Sequence, residues 1–199
     1  MRVILASKSP RRREILSSLG VPFEVVSADT DESSDITDAT LLVQELARRK
    51  GQAVCELLRA RGEWDDDTLI IAADTVVAAG GKILGKPRDE KDAARMLAML
   101  SDTAHEVISG VALFRGERVT TAAECTTVSF GKMSEKDIEW YTKSGEPCDK
   151  AGAYAIQGLA SLFIKGLSGD YFNVVGLPVY RLNQLLLDFT GKSLADLSL

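Results

Sequence analysis

The sequence has few of the residues that build covalent frameworks and metal clusters. Its three cysteines, Cys55, Cys125 and Cys148, are far apart and form no CxxC pair. This spacing favours neither a disulfide framework nor a structural zinc site, and it fits a reducing compartment. The single histidine, His105, opens a predicted strand and leaves no Ser/His/Asp or Cys/His constellation to build. We therefore expect His105 to be a packing or strand-end residue rather than a catalyst, and we expect no covalent nucleophile.

Long apolar runs and an excess of positive charge are also missing. No stretch approaches the ~18 consecutive apolar residues of a membrane span, and no signal-peptide pattern is present. The 29 acidic residues outnumber the 24 basic ones, for a formal net charge of -5. This balance, without a stripe of aromatic and basic residues, argues against a nucleic-acid-binding module. We expect a cytoplasmic protein that binds neither membranes nor nucleic acid.

The apolar residues that are present are sufficient for one sizeable core. They make up 45% of the 199 residues, which favours one domain or two closely fused lobes. A strand over 2–6, a helix from about Ser9 and a strand over about 22–28 predict a β-α-β opening. Later strands and helices alternate without a clean parallel period. The sequence therefore predicts an α/β fold with a long mixed sheet flanked by helices.

A long helix is predicted from about Ala39 to Arg61, after an acidic loop. Its apolar residues predict one buried face. The residues expected on that face are Leu42, Leu46, Ala53, Cys55 and Leu57.

The stretch SKSPRRR places three cations where a helix begins. Ser9 is a good N-cap and Pro10 suits the first helical position, so Arg11, Arg12 and Arg13 fall in the first turn. A helix N-terminus already carries positive charge and unpaired N–H groups, so clustered cations there favour a bound anion. With the hydroxyl of Ser7, they would make a phosphate cradle. The alternative is a solvated helix end.

Two acidic positions are candidates for catalysis. Asp74 interrupts the apolar run IIAADTVVAA, and a buried carboxylate requires a cation or hydrogen-bond donors. It would serve as a structural ion pair, a metal ligand or a general base. Glu32, beside Asp29 and Asp31, offers oxygen ligands of the kind that Mg²⁺ or Mn²⁺ accepts. The alternative for this second group is a merely polar loop.

Two lysines and an amide complete the candidates. Lys86, between Gly85 and a proline, and Lys50 in the long helix would each neutralise a phosphate, or would simply be solvated. Gln157 ends the segment EPCDKAGAYAIQG, whose small residues allow close backbone approach. Its amide would read a base edge through paired hydrogen bonds.

Six segments in this order together resemble the Maf family, the septum-formation-inhibitor-like nucleotide pyrophosphatases. They are ASKSPRRREIL, DES with ELARRK, AADTVV, LGKP, EPCDKAGAYAIQG and NVVGLP, from Leu5 to about Pro178. The resemblance implies a fold related to the inosine-triphosphate pyrophosphatases. It also implies a single Maf-type domain over residues 1–199, with two lobes around a nucleotide cleft.

The resemblance further implies hydrolysis of nucleoside triphosphates between the α and β phosphates, with Mg²⁺, Mn²⁺ or Co²⁺ and without a covalent intermediate. The roles implied by motif position are Asp74 as general base or metal-organising acid, Glu32 as second metal ligand, Lys50 and Lys86 as phosphate-neutralising cations, Arg11, Arg12 and Ser7 as phosphate-binding groups, and Thr75 and Gln157 as base-selecting groups.

The form of the late motif bears on the substrate. The IQG form is similar to the subgroup that acts on dTTP, UTP and modified pyrimidine nucleotides, rather than to the subgroup that prefers 7-methyl-GTP. Ala155 departs from the glycine usual before IQG, which leaves base choice less defined than the reaction. The resemblance implies a homodimer that removes non-canonical or excess pyrimidine triphosphates. The alternative is a nucleotide-binding regulator of cell division in which hydrolysis is incidental.

Overall fold

Six α-helices and seven strands, with four short 3₁₀-helices, are present in a computed structural model, which describes residues 1–198. The strands are β1 Val3–Ala6, β2 Glu24–Val25, β3 Leu69–Ala79, β4 Lys82–Leu84, β5 Ala104–Arg115, β6 Arg118–Phe130 and β7 Ile164–Ser168. The helices are α1 Pro10–Ser18, α2 Ala39–Ala60, α3 Glu90–Leu100, α4 Glu135–Lys143, α5 Tyr171–Val175 and α6 Val179–Thr190.

The strands form a single mixed sheet in the order β2-β1-β3-β5-β6-β7, with β4 paired to β3. β1 is parallel to both β2 and β3, which confirms the predicted β-α-β opening. The β3–β4 and β6–β7 pairs are antiparallel. The predicted α/β fold with a mixed sheet flanked by helices is therefore confirmed. The second strand is shorter than predicted, because Glu24 and Val25 lie exposed on a sheet edge, where strands are often brief.

The chain forms two compact units, and three strands contribute to both. The first unit comprises residues 1–74, 109–124 and 176–198, and the second comprises 75–108 and 125–175. In the first unit, α2 and α1 accompany β1 and the start of β3. Its core is built from Ile4, Ala6, Ala47, Val54, Cys55, Leu58, Ile70, Ala72, Ala112 and Phe114. In the second unit, α3 and α4 supply a core centred on Leu97, Leu100, Phe130 and Tyr141.

The buried face of α2 differs from the predicted one. Leu46 and Cys55 are buried as expected, but Leu42, Ala53 and Leu57 are only half-buried. The face that packs is Val43, Leu46, Ala47, Gly51, Val54, Cys55 and Leu58. Its centre is the glycine, because a Cβ at Gly51 would lie 2.2 Å from Cε2 of Phe114 on β5. Close approach to β5 thus decides which side of the helix faces inward.

No helix within residues 1–198 combines the length and the apolar character that crossing a membrane requires.

Candidate functional site

The loop between β1 and α1 begins the site in the first unit. α1 begins at Pro10 with Ser9 as N-cap, as predicted, but the Ser9 side chain makes no capping hydrogen bond. Instead, the backbone N–H of Ser9 donates to Oγ of the buried Ser7, at 3.1 Å. Ser7 lies directly after β1, at the carboxyl end of a parallel strand, where ligand sites gather in α/β sheets.

Hydrogen bonds to two other parts of the chain orient the Arg12 guanidinium. Its Nε donates to the carbonyl oxygen of Gly176, at 2.7 Å, and one terminal nitrogen lies 3.4 Å from Oγ of Ser7. Burial lowers the pKa of Arg12, the carboxylates of Asp74 and Glu32 act in the opposite direction, and the neighbouring charge of Arg11 lowers it further. A guanidinium stays protonated in proteins, so this is a permanent, partly desolvated cation.

Gly176 was not among the residues predicted to form the site. It belongs to the segment NVVGLP, whose resemblance to the family was noted without a role for any one residue. The motif NVVGLP marks the segment in the sequence. Its residues do not indicate that the carbonyl oxygen of Gly176 accepts a hydrogen bond from an arginine 164 positions away.

Asp74 has the cationic partner that its burial requires. It lies within β3 and is 8% exposed. Lys50, from α2, contacts Oδ1 of Asp74 and lies 2.8 Å from Oε1 of Glu32. Two predicted carboxylates and a predicted lysine, widely separated in the sequence, therefore meet at one point. Asp74 and Lys50 are sheltered there, whereas the Glu32 side chain is 54% exposed.

Arg49 fastens the loop that carries Glu32, and sequence reasoning gave it no role. Its guanidinium donates to the carbonyl oxygen of Ser33, at 2.7 Å, and to Oε1 of Glu45, at 2.8 Å. The hydrogen bonds from Arg48 and Arg49 lower the pKa of Glu45 to about 2. The segment ELARRK thus supplies both Lys50 and the brace that keeps Glu32 near it.

The donor set suits a hard divalent cation. The carboxylates of Asp74 and Glu32 both contact the ammonium of Lys50, and Mg²⁺ is commonly bound by one or two carboxylates together with substrate phosphates. Within residues 1–198, no group of three or more His, Cys, Asp or Glu side chains could hold a metal ion. An ion bound here would therefore take its remaining ligands from substrate and water.

The other predicted site residues, Thr75, Lys86 and Gln157, belong to the second unit. Thr75 directly follows Asp74 on β3 and is half-buried, whereas Lys86 and Gln157 are exposed. The loops that carry the latter two are joined, because the N–H of Gly152 donates to the carbonyl oxygen of Gly85 at 3.0 Å.

His105 is a packing residue, as predicted. Its ring lies edge-on against Phe130 and Tyr154, and Nε2 is 2.8 Å from the Tyr154 hydroxyl oxygen. Burial lowers the pKa of His105 to about 4. It is therefore neutral at physiological pH.

The chain is similar to known proteins over most of its length. The family model described as "Maf-like protein" matches residues 2–189. The "dTTP/UTP pyrophosphatase" of Symbiobacterium thermophilum is 46% identical over 189 residues, which are 94% of each chain. The protein of the same name from Halalkalibacterium halodurans is 48% identical over 180 residues, 90% of this chain and 91% of the relative.

The solved Ham1 protein of Staphylococcus aureus superposes with a TM-score of 0.46 at 11% identity, over 65% of this chain and 72% of the other. The family match, which spans the loop after β1, the Asp74 strand and the Gly176 segment, shows that this chain belongs to the Maf-like protein family.

Proposed function

We propose that this chain hydrolyses dTTP and UTP between the α and β phosphates, giving the nucleoside monophosphate and pyrophosphate. The observation that carries the proposal is the meeting of Lys50, Asp74 and Glu32 in the unit that also holds Arg12. The relatives named dTTP/UTP pyrophosphatase support the choice of substrate.

The cations of the first unit suit a polyanionic substrate. Attack by water on a phosphoanhydride requires charge neutralisation and positioning more than it requires a nucleophilic side chain. Arg12 is the fixed member, oriented by Gly176, and Arg11 and Ser7 lie in the same loop and first turn. We assign the binding of phosphate oxygens to these three residues.

Asp74 is the proposed general base. It lies buried against Lys50, and its carboxylate would accept a proton from the attacking water. Lys50 then has two tasks: it orients the Asp74 carboxylate before substrate binds, and it neutralises phosphate charge once the triphosphate is present.

A divalent cation, Mg²⁺, Mn²⁺ or Co²⁺, is proposed to be held by Asp74 and Glu32, where it would supply charge neutralisation and make a nearby water more acidic. The brace from Arg49 to Ser33 keeps Glu32 within reach of this position.

The remaining predicted residues are also proposed to act on the substrate. Lys86 would neutralise phosphate charge, and Thr75 and Gln157 would select the base. Modified pyrimidine nucleotides belong to the same proposed substrate class. We also propose that residues 1–199 act as a single domain, that the protein is a cytoplasmic homodimer, and that it does not bind nucleic acid.

The test is a product analysis over a panel of triphosphates. Purified protein is incubated with Mg²⁺ or Mn²⁺ and dTTP, UTP, CTP, 7-methyl-GTP or ITP, and the products are separated by chromatography. Release of monophosphate and pyrophosphate from dTTP and UTP is expected. Preference for 7-methyl-GTP would overturn the substrate assignment, and no release from any triphosphate would overturn the enzymatic proposal in favour of a nucleotide-binding regulator.

A further inference from the structure

Two side chains of the second unit, Tyr141 and Glu146, have no part in the proposed reaction yet hold the loop that carries Gln157. Tyr141 lies in the last turn of α4 and is fully buried. Its hydroxyl donates to Oε1 of Glu146, at 2.7 Å, and accepts from the N–H of Ala155, at 3.3 Å. Ala155 is two residues before Gln157, so this contact anchors one end of the loop.

Glu146 anchors the other end. Its Oε2 accepts from the N–H of Leu159, at 3.0 Å, and its Oε1 lies 3.4 Å from the N–H of Ala160. The approach is close, because a Cβ at Gly158 would lie 2.4 Å from Oε2 of Glu146. Glycine at position 158 therefore admits the carboxylate, and Gln157 lies between two anchored backbone positions.

The protonation of Tyr141 suits this role. Burial, and then the hydrogen bond to Glu146, raise the pKa of Tyr141 well above its usual value. The phenol therefore keeps its proton throughout the neutral range and remains the donor to Glu146.

Anchoring of this loop bears on base selection through the chemistry of the amide. A glutamine offers one acceptor oxygen and two donor hydrogens. If its position and orientation are free, it pairs equally well with the imide edge of uracil or thymine, an N–H donor beside a carbonyl acceptor, and with the reversed edge of cytosine. Discrimination requires that the backbone holding the amide stay in one place.

We propose that Tyr141 and Glu146 are positioning residues that hold Gln157 so that it selects uracil and thymine over cytosine. This inference rests on the proposed function, in which Gln157 contacts the base. The base selectivity of Gln157 then depends on a buried phenol and a carboxylate that do not themselves touch the nucleotide.

The experiment compares UTP with CTP, which differ only at the edge in question. Tyr141→Phe removes the hydroxyl and keeps the ring, and Glu146→Gln replaces one acceptor oxygen by a donor that faces a backbone N–H. Loss of one such hydrogen bond is expected to lower the UTP-to-CTP ratio of kcat/KM by about five-fold, mainly through KM for UTP. Glu139→Gln, on the exposed side of α4 where Glu139 pairs with Lys143, is the matched control and should leave the ratio unchanged.

A double variant separates positioning from general damage to the fold. If the anchors act through Gln157, then Gln157→Ala combined with Tyr141→Phe has the selectivity of Gln157→Ala alone. Additive losses would overturn the proposal, since they would show that Tyr141 acts by another route. Glu146→Gln, at a half-buried position, provides the same comparison if Tyr141→Phe fails to fold.

Two readouts do not depend on turnover. Hydrogen exchange over residues 154–160 should be faster in both variants, and binding of non-hydrolysable UTP and CTP analogues should become less selective. If the unmodified protein cleaves no triphosphate, the proposed function fails, whereas these two measurements still judge the anchors. Equal binding of both analogues by the unmodified protein, or faster exchange with unchanged selectivity, would overturn the positioning role.

Discussion

At the scale of single residues, Asp74 depends on a cation from another element. A carboxylate within an apolar strand is too costly to bury without a partner. The ammonium of Lys50, which reaches Asp74 from α2, offsets that desolvation cost. The same pairing fixes the direction of the carboxylate. A structural ion pair and a general base are therefore compatible descriptions of the same two residues, and mutation separates them.

Asp74→Asn tests the catalytic role. The amide keeps the size of the side chain and one acceptor oxygen but cannot accept a proton from water. We expect dTTP binding to be retained and kcat to fall by about 100-fold or more, the usual contribution of a general base. Binding is measured by calorimetry with a non-hydrolysable analogue, and turnover by pyrophosphate release.

Asp188→Asn is the control for this experiment, because Asp188 is exposed on α6. Loss of a general base would lower kcat far more than two-fold. If kcat of Asp74→Asn stays within about two-fold of that of the unmodified protein, Asp74 is not the general base.

At the scale of elements, α2 carries Lys50 and is positioned by close contact with β5. A Cβ at Gly110 of β5 would lie 2.3 Å from the carbonyl oxygen of Val43, and a Cβ at Gly51 would lie 2.2 Å from the ring of Phe114. The first of these neighbours is backbone and cannot rotate away. The distance from α2 to the sheet, and with it the reach of Lys50, depends on the absence of a side chain at position 110.

Gly110→Ala is therefore expected to destabilise the protein. The added methyl group must displace α2, and overpacking of this kind costs about 1–3 kcal/mol. Urea unfolding measures the change in the free energy of unfolding. Gly166→Ala is the matched control, since a Cβ at this position of β7 meets nothing within 4 Å. Equal stability of the two variants would contradict the packing argument.

At the scale of the whole molecule, buried and paired ionisable groups make stability depend on pH. The folded-state pKa of His105 is about 4, below the ordinary value of 6.5. Between these two pH values the unfolded chain therefore binds more protons than the folded protein. The contribution of His105 to the free energy of unfolding is fully present above about pH 6.5 and declines as the pH falls towards 4. Glu45 and Asp92, whose pKa values arginine hydrogen bonds lower to about 2, add a further loss below about pH 4.

We expect the free energy of unfolding to fall by roughly 3 kcal/mol between pH 7 and pH 4 through His105 alone, since each pKa unit corresponds to about 1.4 kcal/mol. The measurement is urea unfolding at several pH values. His105→Gln, which cannot titrate but retains a polar group towards Tyr154, should flatten the slope in this window. An unchanged slope in the variant would show that other groups cause the acid sensitivity.

The sequence predicted much of the secondary structure because those signals are local. Ser9 and Pro10, for example, mark the start of α1. This signal depends on two adjacent residues. The buried face of α2 was misassigned because its orientation depends on Gly51 and Gly110, which lie on different elements.

Sequence alone predicted the mixed α/β fold and the cations and carboxylates to examine, since composition, capping and local motifs are properties of neighbouring residues, and its resemblance to the Maf family implied the reaction class. Only the tertiary structure brought Lys50 between Asp74 and Glu32, set Arg12 on the carbonyl of Gly176 and placed Tyr141 and Glu146 on the Gln157 loop. The physical reason is that a hydrogen bond or an ion pair acts over a few ångströms. Which distant residues come that close is decided by the packing of whole elements.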